Sequence, residues 1–218
     1  LYDEVLDINP QDDSFLSKKE WDFSQEAKGN GPIMQWNHLY RLYRYQVCKQ
    51  ADTVLAHMIF EDAQKVSTMK NSFDYYEKRT THDSSLSRCI FGIMASKLGE
   101  KKKAYEYFDF SSKLDILNSQ HNTKDGIHTA NMGGTYMGIV YGFLGFRVKE
   151  TGFYFMPSLP EQWERCRLRL QLLGSRLEIT VTGTECMFRL IEGTPVRLFV
   201  YGREYEVEKE LTVPLEEW

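Results

Sequence analysis

Apolar residues recur at spacings of three and four through most of the first two-thirds of the chain. In YQVCKQADTVLAHMIF (45–60), Val47, Ala51, Val54, Leu55, Met58 and Ile59 fall on one helical face. SSLSRCIFGIMASKLG (84–99) repeats the pattern through Leu86, Ile90, Ile93, Met94 and Leu98, with Ser84 or Ser85 able to cap its start and Gly99 its end. A third helix is predicted over EKKKAYEYFDFSSKLDIL (100–117), entered through a minimal turn. A fourth runs from near Ala130 toward Phe143, where Gly133, Gly134, Gly138 and Gly142 point to close backbone approach. The stretch VKETGFYFMPSLPEQW (148–163), with its prolines and glycine turns, marks a boundary. After it the period becomes two. RLRLQLLGSRLEITVTG (167–183) reads as a hairpin across a Gly-Ser turn, and MFRLIEG, VRLFVYG and YEVEKELTVPL continue as short strands. The predicted fold is therefore α+β: helical hairpins first, then a small antiparallel β-sandwich. Residues 1–35 have few core signals and are expected to be an irregular lead-in.

Three of the helices are entered through unusually polar loops: QVCKQAD, KRTTHDSSLS (78–87) and NTKDGIHTANMGGT (122–135). Alternate helices of a toroid line its inside and gather their N-termini at one end. Helix N-termini carry partial positive charge and free N–H groups. Several of them converging with Ser, Thr, Lys and His would form an oxyanion pocket, with phosphate the natural occupant.

Composition narrows the partners. The net charge of −4 and the absence of any basic run longer than that in EKKKAY (100–105) argue against nucleic acid and anionic membranes. No apolar run suits a membrane span. Cys48, Cys89, Cys166 and Cys186 show no metal spacing and read as reduced thiols, which points to a cytoplasmic protein without metal. The chain opens on Leu1 rather than Met, as a trimmed product or a piece of a longer protein would.

YQVCKQADTVL, FDYYEKRTTHDSSLS, NTKDGIHTANMGGTYMGIVYGF and MPSLPEQW resemble, in that order, the C-terminal part of glycoside hydrolase family 65, the family of maltose, trehalose, kojibiose and nigerose phosphorylases. The resemblance implies an (α/α)6 toroid followed by a β-sandwich. Residues 36–148 would then be the C-terminal half of the toroid and residues 149–218 the sandwich. It also implies an inverting reaction, in which inorganic phosphate attacks the anomeric carbon of an α-glucoside while a Glu protonates the leaving oxygen. Phosphate would be a co-substrate, and no cofactor is implied. The implied partners are a disaccharide or glucose 1-phosphate and inorganic phosphate, with a second copy or a complementing N-terminal portion covering the open half of the toroid.

Carried over residue by residue, the resemblance makes Lys49 and Gln50 sugar or phosphate contacts. Ser84 and Ser85, or their backbone, shape the pocket floor. His128 becomes the phosphate ligand, supported by Gly133, Gly134 and Thr135, and the glycines would let backbone N–H groups approach the anion. The family's acid lies in a Gly-Pro-Asp-Glu-Tyr string that does not occur in these 218 residues. The general acid is therefore expected upstream of Leu1, and no catalytic residue is assigned in this chain. Arg88 also departs from the pattern, standing where the family commonly has Pro.

Each site residue has a plainer reading. Lys49 lies opposite the apolar stripe of its predicted helix. Asp52 could pair with it or be a simple helix charge. Asp83 and Asp125 read as caps, and His82 as a residue orienting its loop. The aromatics of FDYYEK and FYFMP read as packing between barrel and sandwich rather than as sugar platforms. Two other functions remain open: a hydrolase of the same family, of the acid trehalase type, and a non-catalytic carbohydrate-binding module. Half a toroid would expose apolar surface, so either self-association or a disordered N-terminal stretch is expected.

Overall fold

The computed structural model describes residues 1–26 and 33–216. They form two compact units: Leu1–Met94 with Glu106–Thr135, and Ala95–Tyr105 with Tyr136–Trp218. The part of the lead-in at 27–32 and the last two residues lie outside the described residues.

In chain order the helices are α1 (Phe23–Glu26), α2 (Ile33–Trp36), α3 (Leu39–Leu42), α4 (Asp52–Ile59), α5 (Val66–Glu77), α6 (Ser87–Lys97), α7 (Lys101–Lys113) and α8 (Thr129–Met137), which runs on into a π-helix, Gly138–Phe143. Gly99 ends α6 at φ +77°, and the N–H groups of Gly99 and Glu100 bond the carbonyls of Ser96 (3.2 Å) and Ala95 (2.9 Å). This is a Schellman end, and it lets α7 begin two residues later. α5 carries Val66, Met69, Phe73 and Tyr76 at helical spacing and was legible in the sequence, although the periodicity reading passed over it. Its aromatics pack inside their own unit: Phe73 meets Phe91 at 5.4 Å.

The predicted helix over 45–60 is corrected. Only Asp52–Ile59 is helical. Gln46, Val47 and Cys48 are buried in succession, which no single helical face permits. The segment is extended instead, with parallel bridges Lys19↔Tyr45 and Cys48↔Thr80. Its backbone groups pair with distant segments, Cys48 N–H to Arg79 O at 2.8 Å and Thr81 N–H to Cys48 O at 2.9 Å. Lys49 is consequently on no helix.

Residues 1–26 are not disordered. Ile8 and Phe15 are buried, and Asn9 bonds α5 twice, its N–H to Ser72 Oγ at 3.3 Å and its carbonyl from Tyr76 OH at 2.9 Å. Its regular elements are a 3-10 turn, Phe15–Ser17, and the single turn of α1, and the segment is tied down by side chains of α5.

The strands are β1 (Arg147–Lys149), β2 (Gly152–Phe155), β3 (Arg165–Leu172), β4 (Ser175–Thr182), β5 (Glu185–Glu192), β6 (Val196–Val200), β7 (Arg203–Val207) and β8 (Glu210–Pro214). They form two sheets, ordered β1-β2-β6-β7 and β3-β4-β5-β8. The wholly antiparallel expectation fails at one pair: β2 and β6 run parallel. The whole β3–β5 meander separates them in sequence, long enough for the crossover that a parallel pair needs. β1 and β2 come from the stretch read as a boundary. The β3–β4 turn is Leu173-Gly174 rather than Gly-Ser, with both φ positive (46° and 87°) between the facing pair Leu172 and Ser175. That is the primed two-residue turn whose twist matches the strands. Phe155, Leu177, Ile179, Phe188, Leu198 and Val207 are fully buried in one core, and Phe155 meets Phe188 edge-on at 5.0 Å.

Candidate functional site

The polar lead-in loops of α4, α6 and α8 lie in one unit, joined by a relay of hydrogen bonds. Gln50 Nε2 donates to Ser84 Oγ at 3.2 Å, and the same oxygen accepts the N–H of Leu86 at 3.2 Å, turning the chain into α6. Gln120 Nε2 donates to the carbonyl of Asp83 at 3.3 Å. Ser85 is half-buried beside this junction. Lys49 is exposed and, among the described residues, has no ion-pair partner. With Gln50, Tyr43, Tyr45, Lys18 and Asp12 it lines a cavity of about 240 Å³. Asp52 does not pair with Lys49; its Oδ2 accepts from Gln11 Nε2 at 3.1 Å.

The segment after α7 is folded back on itself by its own polar side chains. Asn118, at φ +50°, accepts from Thr123 N–H (3.1 Å) and Oγ1 (2.7 Å). Gly126 sits at φ +116°, ψ 179°, a conformation that only glycine adopts readily. Beyond it stands His128, half-buried, whose carbonyl accepts the first bond of α8, from Met132 N–H at 3.0 Å. Asp115 grips His128 at two points: Oδ2 accepts its backbone N–H at 2.9 Å and Oδ1 its ring Nδ1 at 2.5 Å. The other ring nitrogen, Nε2, lies 3.2 Å from Asn122 Nδ2. These contacts to His128 hold the Asp115 carboxyl below its ordinary pKa.

Gly133, Gly134 and Thr135 lie farther along α8 than the anion-loop expectation requires. They are interior to the helix, whose geometry turns the glycine N–H groups toward the carbonyls of Thr129 and Ala130. The expected approach of those N–H groups to an anion is therefore corrected. A Cβ on Gly134 would stand 2.6 Å from Cys89 Sγ, so Gly134 lets α8 lie close against α6. Thr135 Oγ1 donates back to Asn131 O at 2.9 Å.

His82, at φ +54°, shares a hydrogen bond of 2.8 Å with Ser87 Oγ through Nδ1, and its Nε2 is buried without a partner among the described residues. Burial, and then the charge of Arg88, pushes its pKa down to about 4, so the ring is neutral at pH 7. Arg88 stacks its guanidinium 3.9 Å from the centre of the Phe110 ring, an apolar seat that explains how a cation occupies the start of α6. Asp115 and Asn122 escaped the motif reading. The available signal was weak: a carboxylate ending a helix and an amide opening the next polar loop.

The three loops offer neutral donors from Ser, Gln and Asn, the exposed ammonium of Lys49, and one imidazole oriented by a carboxylate. Among the described residues no group of three or more His, Cys, Asp or Glu is placed to hold a metal ion. Among the described residues no helix is long and apolar enough to cross a membrane, and the four cysteines are unpaired.

Residues 1–137 match the glycosyl hydrolase family 65 central catalytic domain, and residues 146–207 match that family's C-terminal domain. The chain is 50% identical over 209 residues to the α,α-trehalose phosphorylase of Geobacillus stearothermophilus, an alignment covering 96% of this chain and 27% of that protein. It is 37% identical to the α,α-trehalose phosphorylase of Thermoanaerobacter brockii, over 95% of this chain and 27% of the relative, and 31% identical to the kojibiose phosphorylase of the same organism over the same shares. A solved structure, a putative kojibiose phosphorylase from human microbiome, superposes with a TM-score of 0.91 at 28% identity, over 98% of this chain and 30% of that one. The chain thus spans about a quarter of the length of these relatives.

Proposed function

The chain belongs to glycosyl hydrolase family 65, and from that premise we propose that it forms the phosphate-binding side of an inverting disaccharide phosphorylase with α,α-trehalose as substrate. The observation that carries this reading is the 50% identity to a trehalose phosphorylase across 96% of the chain. Phosphate attacks the anomeric carbon on the face opposite the departing glucose, giving glucose 1-phosphate of inverted configuration. A Glu from another part of the polypeptide protonates the leaving oxygen. His128 meets the phosphate through Nε2 at the first turn of α8, where the unpaired N–H groups of the helix favour an anion. Lys49 and Gln50 contact sugar or phosphate, and Ser84 and Ser85 shape the floor. Gly134 acts indirectly, by letting α8 lie close against α6 so that His128 is held in place.

The helices of residues 36–148 are proposed as half of an (α/α)6 toroid and residues 149–218 as its sandwich. The exposed Trp36, Tyr40, Tyr43, Ile59 and Phe60 support a covering partner, either the remaining catalytic domain or a second copy. Four unpaired cysteines support a cytoplasmic setting.

The test is turnover of α,α-trehalose, kojibiose and maltose by the complete polypeptide, with and without inorganic phosphate. Release of glucose 1-phosphate from trehalose, with no cleavage when phosphate is withheld, is expected. Unchanged cleavage without phosphate identifies a hydrolase. Sugar binding with no turnover under either condition identifies a binding module.

A further inference from the structure

Asp115 is the residue that decides which way His128 faces. A bond to the backbone N–H fixes where the side chain starts, and a bond to Nδ1 fixes how the ring turns. An ionised carboxylate only accepts, so the Nδ1 it touches must carry a proton. Nε2 is then the ring nitrogen left to meet a ligand. It is not open: Asn122 Nδ2 lies 3.2 Å away, while Asn122 Oδ1 is buried with no partner among the described residues. The amide is half satisfied, and its side chain is the least anchored of the three.

We infer that Asp115 is a positioning residue for phosphate, holding His128 with Nε2 toward the anion, and that Asn122 caps Nε2 until the anion replaces it. This rests on the assignment of phosphate to His128 made above. A lone pair on Nε2 suits an amide N–H but repels an oxyanion, so phosphate meets Nε2 only with a proton between them. Capping keeps the Nε2 lone pair satisfied in the empty site.

The experiment compares Michaelis constants for phosphate and for the disaccharide in the complete polypeptide, for the unaltered enzyme, Asp115→Asn, His128→Gln, the double variant and Asn122→Ala. Asp115→Asn is expected to raise the phosphate KM roughly 10- to 100-fold, the size of one charge-assisted bond, with little change in the disaccharide KM. The double variant is expected to be no worse than His128→Gln alone. Asn122→Ala is expected to lower the phosphate KM. If Asp115→Asn moves both constants together with the melting temperature, Asp115 is merely structural and the inference fails. If Asn122→Ala raises the phosphate KM, Asn122 is a ligand and not a cap. If His128→Gln raises the phosphate KM and Asp115→Asn does not, the inference fails while the phosphate assignment stands. If His128→Gln leaves the phosphate KM unchanged, both fail. Should Asp115→Asn not fold, the nitrogen chemical shifts of His128 in the unaltered protein test the same claim. A proton on Nδ1 in the empty site, with Nε2 protonating as phosphate is added, is expected. An Nε2–H ring in the empty site overturns it.

Discussion

Glu178 and Asp115 are both acidic side chains gripped by two donors, and they reach that state by different routes. Glu178 faces Arg169 on β3 and Arg189 on β5, directly opposite it in the strand register, and bonds both. Its partners follow from pairing alone, because the strands that bury Ile179 and Leu177 must bring those arginines alongside. Asp115 finds His128 only because the intervening loop closes on itself through Asn118, Thr123 and Gly126. In the β unit, polar pairing is a by-product of the period that builds the core. In the helical unit it depends on loop closure, and no hydrophobic period reports that.

The largest expected effect is on the β core. Phe188→Ala should cost about 3–5 kcal/mol, because the ring is fully buried against Phe155 and the cavity cannot collapse between two sheets. Denaturant unfolding measures it; a loss under 1 kcal/mol would mean that the sandwich repacks freely.

The helical unit should be the first to weaken in acid. His82 titrates at about 4 in the folded chain against an ordinary 6.5, so between those values the unfolded chain binds a proton that the folded one refuses. Stability is fully present above about pH 6.5 and falls as pH drops toward 4, by on the order of 3 kcal/mol. Burial gives His57 the same sign. Urea unfolding at pH 7 and pH 4.5 should show the loss, and His82→Gln should reduce it. An unaltered slope in that variant would remove His82 from the account.

Gly134→Ala should cost about 1–3 kcal/mol, since the new methyl would meet Cys89 Sγ at 2.6 Å and Cβ at 2.9 Å. Cys89→Gly in the same chain should make the pair less than additive, whereas strict additivity would exclude the close contact as the cause.

The smallest effect sharpens the contrast. Arg169, then Arg189, holds the Glu178 carboxyl below its ordinary 4.5. Its stabilisation is present above that value and is lost only as pH falls through the lower folded value. Glu178→Gln should flatten the acid limb of β-unit unfolding below about pH 4.5 and leave the His82 range untouched. Solvent around the two half-exposed arginines keeps the effect small.

Much of this was readable in the residues. α6, α7 and α8, the β3–β4 hairpin and the later strands follow from spacing, because a helix or strand with one buried face must repeat its apolar residues at that element's own period. The extended run at 45–51 was misread because Val47 also fits the stripe of α4. What overrides that fit is pairing with Lys19 and Thr80, residues far away in sequence. Of the two glycines in α8, Gly134 is the close-approach position that the spacing predicts, with Cys89 as its neighbour, whereas a Cβ on Gly133 would meet open space. His128 stood out in its motif; Asp115 and Asn122 did not, since a single carboxylate or amide carries no periodic signal.

The sequence by itself determined the α-then-β order, the buried faces and the polar lead-ins of three helices, all properties of neighbouring residues. Only the tertiary structure decided that Gln50 meets Ser84, that Asp115 turns His128, and that β2 lies parallel to β6. Those contacts join positions whose separation costs only slowly growing loop entropy, so many pairings compete at similar cost. Which one forms is settled by packing the whole unit at once.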